Sequence, residues 1–377
     1  MKKEFKDSVY CKIYKSLICR SPLPFDNKQE NKNKETEPLG FKRFSARFSY
    51  ILCKKLDGMA NIPGTTGWWS MRALKGYGMC EEKFCPDEYS NESDYVNFPI
   101  TKEILENAYQ YRDPAYQRLL SLNDIKKVLN LNKSLVVLSF DIFQGIYDAP
   151  KGYVPFPRAN EKKLGGHGVT VVGWSDKNQV LSFANSWGEK WGNKGYGYLP
   201  YSYLEKYTIE CWAIMSRKDW QNFKQDLGEN NFKDKKGELI KTQLNKVSPV
   251  VYGRSPLWVL DLYKPDGKIG GWSHFSILDY GNIIEIEEIF ILPEFRQLGW
   301  GTKILEIIEN IAKSHGISTI KGWVSVQDII TEERESMVKN YFTKAGFEII
   351  PNRTKFRGSC WKIQKSILKN IYFNTNF

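Results

Sequence analysis

The chain has 377 residues and carries 55 Lys+Arg against 43 Asp+Glu, a formal net charge of +12. With 41% hydrophobic and 14% aromatic residues it can bury real cores, which excludes a wholly disordered chain, and its length suits two or three domains of roughly 150 residues. No apolar run reaches the ~18 residues of a membrane-spanning helix, so no membrane partner is expected.

In chain order, residues 1–55 hold fourteen Lys/Arg and six Asp/Glu, so the basic excess is concentrated there. Such a segment can meet nucleic acid or an anionic surface, or simply be solvated, and the solvated reading is preferred, with no nucleic-acid partner expected. Lys12, Lys15 and Arg20 interrupt any apolar core near the start, which does not read as a signal peptide. Residues 20–43 are polar and broken by proline, a long loop. Residues 44–215 are rich in aromatics and glycine, and 216–250, with Lys-Asp-Lys-Lys-Gly-Glu at 233–238, read as a polar linker or connecting helix. From Pro256 the pattern is strand, strand, strand, helix, strand, helix, strand. Seven cysteines lie at irregular spacings without a Cys-x-x-Cys, and only three histidines accompany them. Neither a disulfide framework nor a metal site is expected, and free thiols suit the cytoplasm.

Within 44–215, Gly165-Gly166-His167-Gly168 opens a β-rich run that turns at Ser175-Asp-Lys-Asn178 and returns to Asn185-Ser186-Trp187-Gly188. The pattern predicts a hairpin centred near residues 176–177, which brings His167 within one place of Asn185 across the ladder. An Asn oxygen can accept the imidazole N–H and fix its tautomer, leaving the other nitrogen to take a proton from a nucleophile such as a thiol. The pair could equally be a satisfied structural contact.

This stretch, with Trp191-Gly192-x-x-Gly195-Tyr196 behind it, resembles the papain family of cysteine peptidases over roughly residues 44–215. The resemblance extends upstream to 124–143, 67–89 and 44–58. It implies a two-lobe fold, a helical lobe plus a β-barrel lobe, with His167 as general base, Asn185 as its orienter and Trp187 shielding their hydrogen bond. The family nucleophile begins a helix in a Gly-Ser-Cys-x-Ala motif with a Gln some six residues earlier. No Gln stands so before a Cys here, and Gln29 is the only Gln of the first hundred residues. Cys80 matches a non-catalytic position. Cys11 can start a helix and is the candidate nucleophile, although Lys12 and Lys15 replace small apolar residues. A degenerate first lobe that cannot cleave is the alternative.

Further on, 283–292 reads as a strand, followed by Pro293, Arg296, Gly299 and Gly301, then an amphipathic helix over 302–314. Strand, glycine turn and helix is the geometry that gathers N–H groups around a phosphate, though Gly-x-Gly alone is also an ordinary tight turn. Ile291, Pro293, Arg296, Gly299 and Gly301, with Phe342-Thr-Lys-Ala-Gly346-Phe347 further on, resemble the GNAT superfamily of N-acetyltransferases over about 251–377. The resemblance implies acetyl-CoA as co-substrate, its pyrophosphate on Arg296, Gln297, Leu298, Gly299, Trp300, Gly301 and Thr302, and its pantetheine along Ile289, Ile291 and Leu292. Glu287 and Glu285 share one face of the strand and could act through water as general base, or be solvated edge charges. Glu288 points the other way if the strand is regular. Phe342 stands where the family often has a Tyr as acid to the leaving thiolate. Either another group serves, or Tyr341 is recruited.

The expected fold is therefore α+β in two domains. A papain-like peptidase domain at 1–215 (1–43 atypical, basic and partly loop) precedes the linker 216–250. A GNAT domain with a mixed, mostly antiparallel sheet follows at 251–377. The function this implies is a fusion of a cysteine peptidase with an acetyl-CoA-dependent N-acetyltransferase acting on an amine, with a peptide or protein as substrate. The peptidase would expose an α-amine and the transferase would cap it. Two alternatives stay open: an inactive papain-like module presenting a peptide to the transferase, or an active peptidase with an acyl-CoA-sensing GNAT domain.

Overall fold

The computed structural model describes residues 44–59, 64–88, 92–113, 115–131, 134–215, 217–247, 255–278, 281–351 and 359–367. Cys11, the basic terminus and the loop expected at 20–43 lie outside them. The described residues fall into two compact units, one drawn from 44–113 and 135–211, the other from 115–134 and 212–367.

The first unit opens with helices α1 (Ala46–Asp57), α2 (Gly67–Gly76), α3 (Glu92–Val96) and α4 (Lys102–Tyr109). Ser45 caps α1 by accepting the Phe48 N–H at 2.9 Å, and Gly58 ends it in the left-handed conformation that glycine tolerates. The first two N–H groups of α2 donate to the buried Glu210 carboxylate at 2.5 and 3.1 Å, a negative charge at the positive end of the helix.

In the second unit, strand β1 (Tyr116–Arg118) and helix α5 (Leu122–Leu131) come next in the chain. The first unit then resumes with β2 (Ser134–Phe143), β3 (Lys163–Ser175), β4 (Val180–Ala184) and β5 (Tyr196–Pro200), neighbours in that order in an antiparallel sheet. Phe140 sits at its centre, with the rings of His167, Phe183 and Tyr203 edge-on around it. The hairpin expected over 163–184 is present. Its register runs Thr170–Ala184 to Ser175–Val180, with an irregularity between Val171 and Gly173, and lies one to two places from the expected one because the turn is centred nearer residues 177–178.

After α6 (Tyr201–Tyr207), strand β6 (Thr208–Met215) ends in the second unit, where Trp212–Ile214 pair with β1. The described part of the segment expected as a polar linker or connecting helix, residues 217–247, is a short helix α7 (Arg217–Phe223) followed by two strands, β7 (Lys224–Lys233) and β8 (Leu239–Val247). With β9 (Leu257–Tyr263), β10 (Ile269–Leu278), β11 (Ile283–Ile291), β12 (Thr319–Ser325), β13 (Glu348–Pro351) and β14 (Ser359–Ser366) they make one eight-stranded sheet, in the order β13-β14-β12-β11-β10-β9-β8-β7. Polarity misleads here because β7 is an edge strand exposed along nearly its whole length, whereas β8 is paired on both sides. Helices α8 (Trp300–Ser314) and α9 (Glu332–Lys344) complete the unit. Ile304, Leu305 and Ile308 of α8 and Phe342 of α9 pack in one core with Leu260, Leu262, Phe275, Ile284 and Ile286 of the sheet. Phe342 is thus a core residue.

Candidate active sites

His167 lies three residues before the first β3–β4 pair and Asn185 one residue after it, so the hairpin itself delivers both side chains. Both are buried, with His167 Nε2 2.9 Å from Asn185 Oδ1. The Ser186 N–H also donates to Asn185 Oδ1, at 2.8 Å. An atom that receives a backbone N–H is the amide oxygen, so His167 Nε2 must carry the hydrogen. In the neutral ring the lone pair is then on Nδ1, the nitrogen that can accept a proton. Trp187 tilts over the imidazole at 4.7 Å between centroids, and Tyr147, half-exposed, stacks on the outer face of Trp187 at 5.4 Å. The environment of Cys80 is the opposite of an activating one. Burial, then the neighbouring Cys85 and Glu81, push its thiol up to about 12, so it is not a nucleophile at neutral pH.

The second unit gathers its candidate groups around β11. This strand pairs with β12 in parallel from Ile283–Thr319 to Ile286–Gly322 and, among the described residues, no further. Glu287 to Ile291 therefore leave that side of the strand open. On the other side the register slips between His274 and Phe275, so that His274 faces Glu288, Phe275 faces Ile286, and Glu287 is the extra residue. The bulge overturns the expectation that Glu288 points away from Glu287. Glu287 Oε1 accepts from Gln117 Nε2 at 2.9 Å and from Ser276 Oγ at 2.8 Å, while Glu288 accepts from the hydroxyl of Tyr116 and from Trp272 Nε1. Both carboxylates meet neighbouring residues of β1, and neither is a solvated edge charge. Glu285 instead pairs with Lys321 at 3.6 Å. Tyr116 and Gln117 were not legible as site residues, since nothing in their local sequence marks them.

From Ile291 the chain passes through Leu292, whose N–H donates to Gly270 O at 2.9 Å, and a single turn at Pro293–Phe295. Arg296 Nε donates to Ile291 O at 3.3 Å. Gln297 and Gly299 both take positive φ, 64° and 89°, and α8 begins at once, two residues earlier than expected. Its first intrahelical bond runs from Lys303 N–H to Gly299 O at 3.1 Å, so the N–H groups of Trp300, Gly301 and Thr302 have no acceptor within the helix. Trp300 turns inward, stacked on Phe295 at 5.0 Å, and both rings rest where Gly270 has no side chain. Tyr341 donates its hydroxyl to Gly301 O at 2.7 Å, and burial raises its pKa, so it keeps its proton. Amides without a helix acceptor, two glycines and one arginine suit a diphosphate, and the open flank of β11 suits an extended chain bearing amides. Among the described residues, no group of three or more His, Cys, Asp or Glu could hold a metal ion, and no helix is long and apolar enough to cross a membrane.

Two family models match the chain: the papain family of cysteine proteases over residues 71–216 and the GNAT acetyltransferase family over residues 220–347. The uncharacterized peptidase C1-like protein L477 of Acanthamoeba polyphaga mimivirus is 30% identical over 163 residues, 40% of this chain and 51% of that protein, so the chain spans about half the length of this curated relative. Among solved structures, xylellain, a cysteine protease from Xylella fastidiosa, is 23% identical with a TM-score of 0.43, over 47% of this chain and 71% of that one. The PaiA N-acetyltransferase of Thermoplasma acidophilum in complex with coenzyme A is 22% identical with a TM-score of 0.24, over 29% of this chain and 60% of that one. By the two family models, the chain joins a papain-family domain at residues 71–216 to a GNAT acetyltransferase domain at residues 220–347.

Proposed function

We propose that the chain is an acetyl-CoA-dependent N-acetyltransferase acting on an amine of a peptide or protein, joined to a papain-like cysteine peptidase domain. One observation carries the transferase reading. The half of β11 that leaves β12 at Ile286 leads through Leu292 and Pro293 directly into the glycine turn at the start of α8. A single run of chain thus offers a groove for a thioester arm and a cradle for its phosphates.

Acetyl-CoA bound along that run supplies the acetyl thioester. Arg296 and the N–H groups of Gln297–Thr302 hold the phosphates, and Ile289 and Ile291 line the arm. Glu287, oriented by Gln117 and Ser276, takes through a water the proton that the amine must lose as its nitrogen attacks the acetyl carbonyl; the C–S bond would break and CoA would leave as a thiolate that takes a proton from solvent. The hydrogen bond to Gly301 favours a holding task for Tyr341 over the proton transfer that the sequence suggested. In the peptidase domain His167, oriented by Asn185, would accept the thiol proton of Cys11. The His167–Asn185 pair favours this over an inactive module. Order of action follows from the chemistry: cleavage yields the α-amine that transfer would cap.

The test incubates the full chain with acetyl-CoA and a panel of peptides and follows masses. Acetylated amines that disappear with Glu287→Gln support the transferase, and new peptide ends that disappear with His167→Ala support the peptidase. No acetylated product from any peptide or polyamine, with the protein folded, counts against the transferase.

A further inference from the structure

The turn between β7 and β8 is built to touch the glycine turn at α8. Asp234 is buried, and its carboxylate accepts the N–H groups of Lys236 and Glu238 at 2.8 and 3.0 Å and the Trp300 Nε1–H at 3.3 Å. Burial alone would raise its pKa, but these three donors outweigh it and hold the carboxyl below its ordinary range. Trp300 is the first residue of α8, so the same carboxylate ties the hairpin turn to the start of that helix. A second tie comes from the backbone, where the Lys235 N–H donates to Leu298 O at 3.1 Å. Between these ties the Lys235 stem lies along Gly299, its Cγ and Cε 3.7 and 3.8 Å from where a Cβ on Gly299 would stand. Lys235 is exposed, and among the described residues no carboxylate pairs with it.

We propose that Lys235 is a further cofactor-binding residue, its ammonium contacting the phosphate groups of the acyl-CoA held at Arg296–Thr302. The proposal rests on the acetyl-CoA reading above and adds to it a residue from another hairpin. The physical case is direct. A lysine anchored through its backbone on the turn it serves keeps its ammonium within reach of an anion there, and its stem stands where Gly299 leaves the backbone open. The Asp234 carboxylate is already committed to three N–H donors, so it orients the turn without capturing the ammonium.

Calorimetric titration of the full chain tests this with two ligands: CoA, and S-acetylpantetheine, which has the arm but no phosphate. Lys235→Met keeps an apolar stem and removes the charge. It should weaken CoA binding about tenfold, Lys235→Glu more, and Lys235→Arg about threefold or less. S-acetylpantetheine should bind all four proteins alike, and raising the salt should narrow the wild-type advantage for CoA. An exposed side chain leaves the melting temperature nearly unchanged. CoA binding within twofold of wild type for both Lys235→Met and Lys235→Glu overturns the proposal, and so does equal weakening of both ligands. Wild-type protein that binds neither ligand removes the acetyl-CoA reading itself, a different result from either.

Discussion

Asn185 holds His167 with an oxygen that also receives the Ser186 N–H, at 2.9 and 2.8 Å, so the tautomer of the buried imidazole is set by the backbone of the next residue. A thiol-directed epoxide should therefore label Cys11, His167→Ala should slow that labelling at least tenfold, and Asn185→Ala should slow it severalfold. Peptide mass mapping reads the site. Labelling of full rate in His167→Ala would show that the imidazole does not activate the thiol.

Cys80 supplies the control, and its behaviour with pH has a definite sign. A thiol raised to about 12 gains its thiolate only as the pH approaches that value. At pH 8 the reactive fraction is roughly one in ten thousand. Cys80 should stay unlabelled from pH 6 to 9 in the folded protein and react only on unfolding. Labelling at pH 8 would contradict the burial of the first lobe.

Gln117 meets Glu287 at 2.9 Å although the two are 170 residues apart. Glu287→Gln should leave acetyl-CoA affinity nearly unchanged and lower kcat by about a hundredfold, since it removes only a proton acceptor. Gln117→Ala should lower kcat about threefold to tenfold at unchanged KM for acetyl-CoA. Steady-state kinetics separates the two by the size of the loss in kcat. Unchanged kcat in both variants would remove Glu287 as the base.

Glycine 270 has no room for a side chain. A Cβ there would stand 2.4 Å from the Trp300 ring and 2.7 Å from that of Phe295. Gly270→Ala should lower stability by about 1–3 kcal/mol and loosen the start of α8. Gly301→Val, against the Tyr341 ring, should weaken CoA at least tenfold, about 1.4 kcal/mol. Thermal melts and calorimetry check both.

A piece of the chain starting at residue 251 should fail to fold alone. It would remove β7 and β8 and turn β9 into an edge, although Leu257, Val259, Leu260 and Leu262 are buried. A cooperative, soluble unit from residue 251 onward would contradict the eight-stranded sheet.

Much of this architecture was readable from periodicity and turn chemistry. The hairpin that carries His167 and Asn185 follows from two β-rich runs around Ser175–Asn178, and the α8 helix from Ile304, Leu305 and Ile308 at helical spacing. What escaped has physical causes. β7 is solvated nearly throughout and shows no alternation, and β8 places Thr242 and Asn245 at buried positions, so both resemble linker. The bulge beside Glu287 depends on the strand opposite, which no local pattern records. Gln117 reaches Glu287 and Lys235 reaches the glycine turn through the fold alone, though Asp234 and Gly237 around Lys235 and Lys236 are turn residues that could have signalled a hairpin.

Acetyl-CoA binding and transfer by the full chain test the central claim most directly. Calorimetry should show acetyl-CoA bound in a 1:1 ratio, and mass spectrometry should show one acetyl group added to an acceptor amine in wild type and little or none in Glu287→Gln. Folded protein that gives neither heat nor thermal shift with acetyl-CoA, CoA or longer acyl-CoA would contradict the account and leave a GNAT-shaped scaffold beside the papain-family domain.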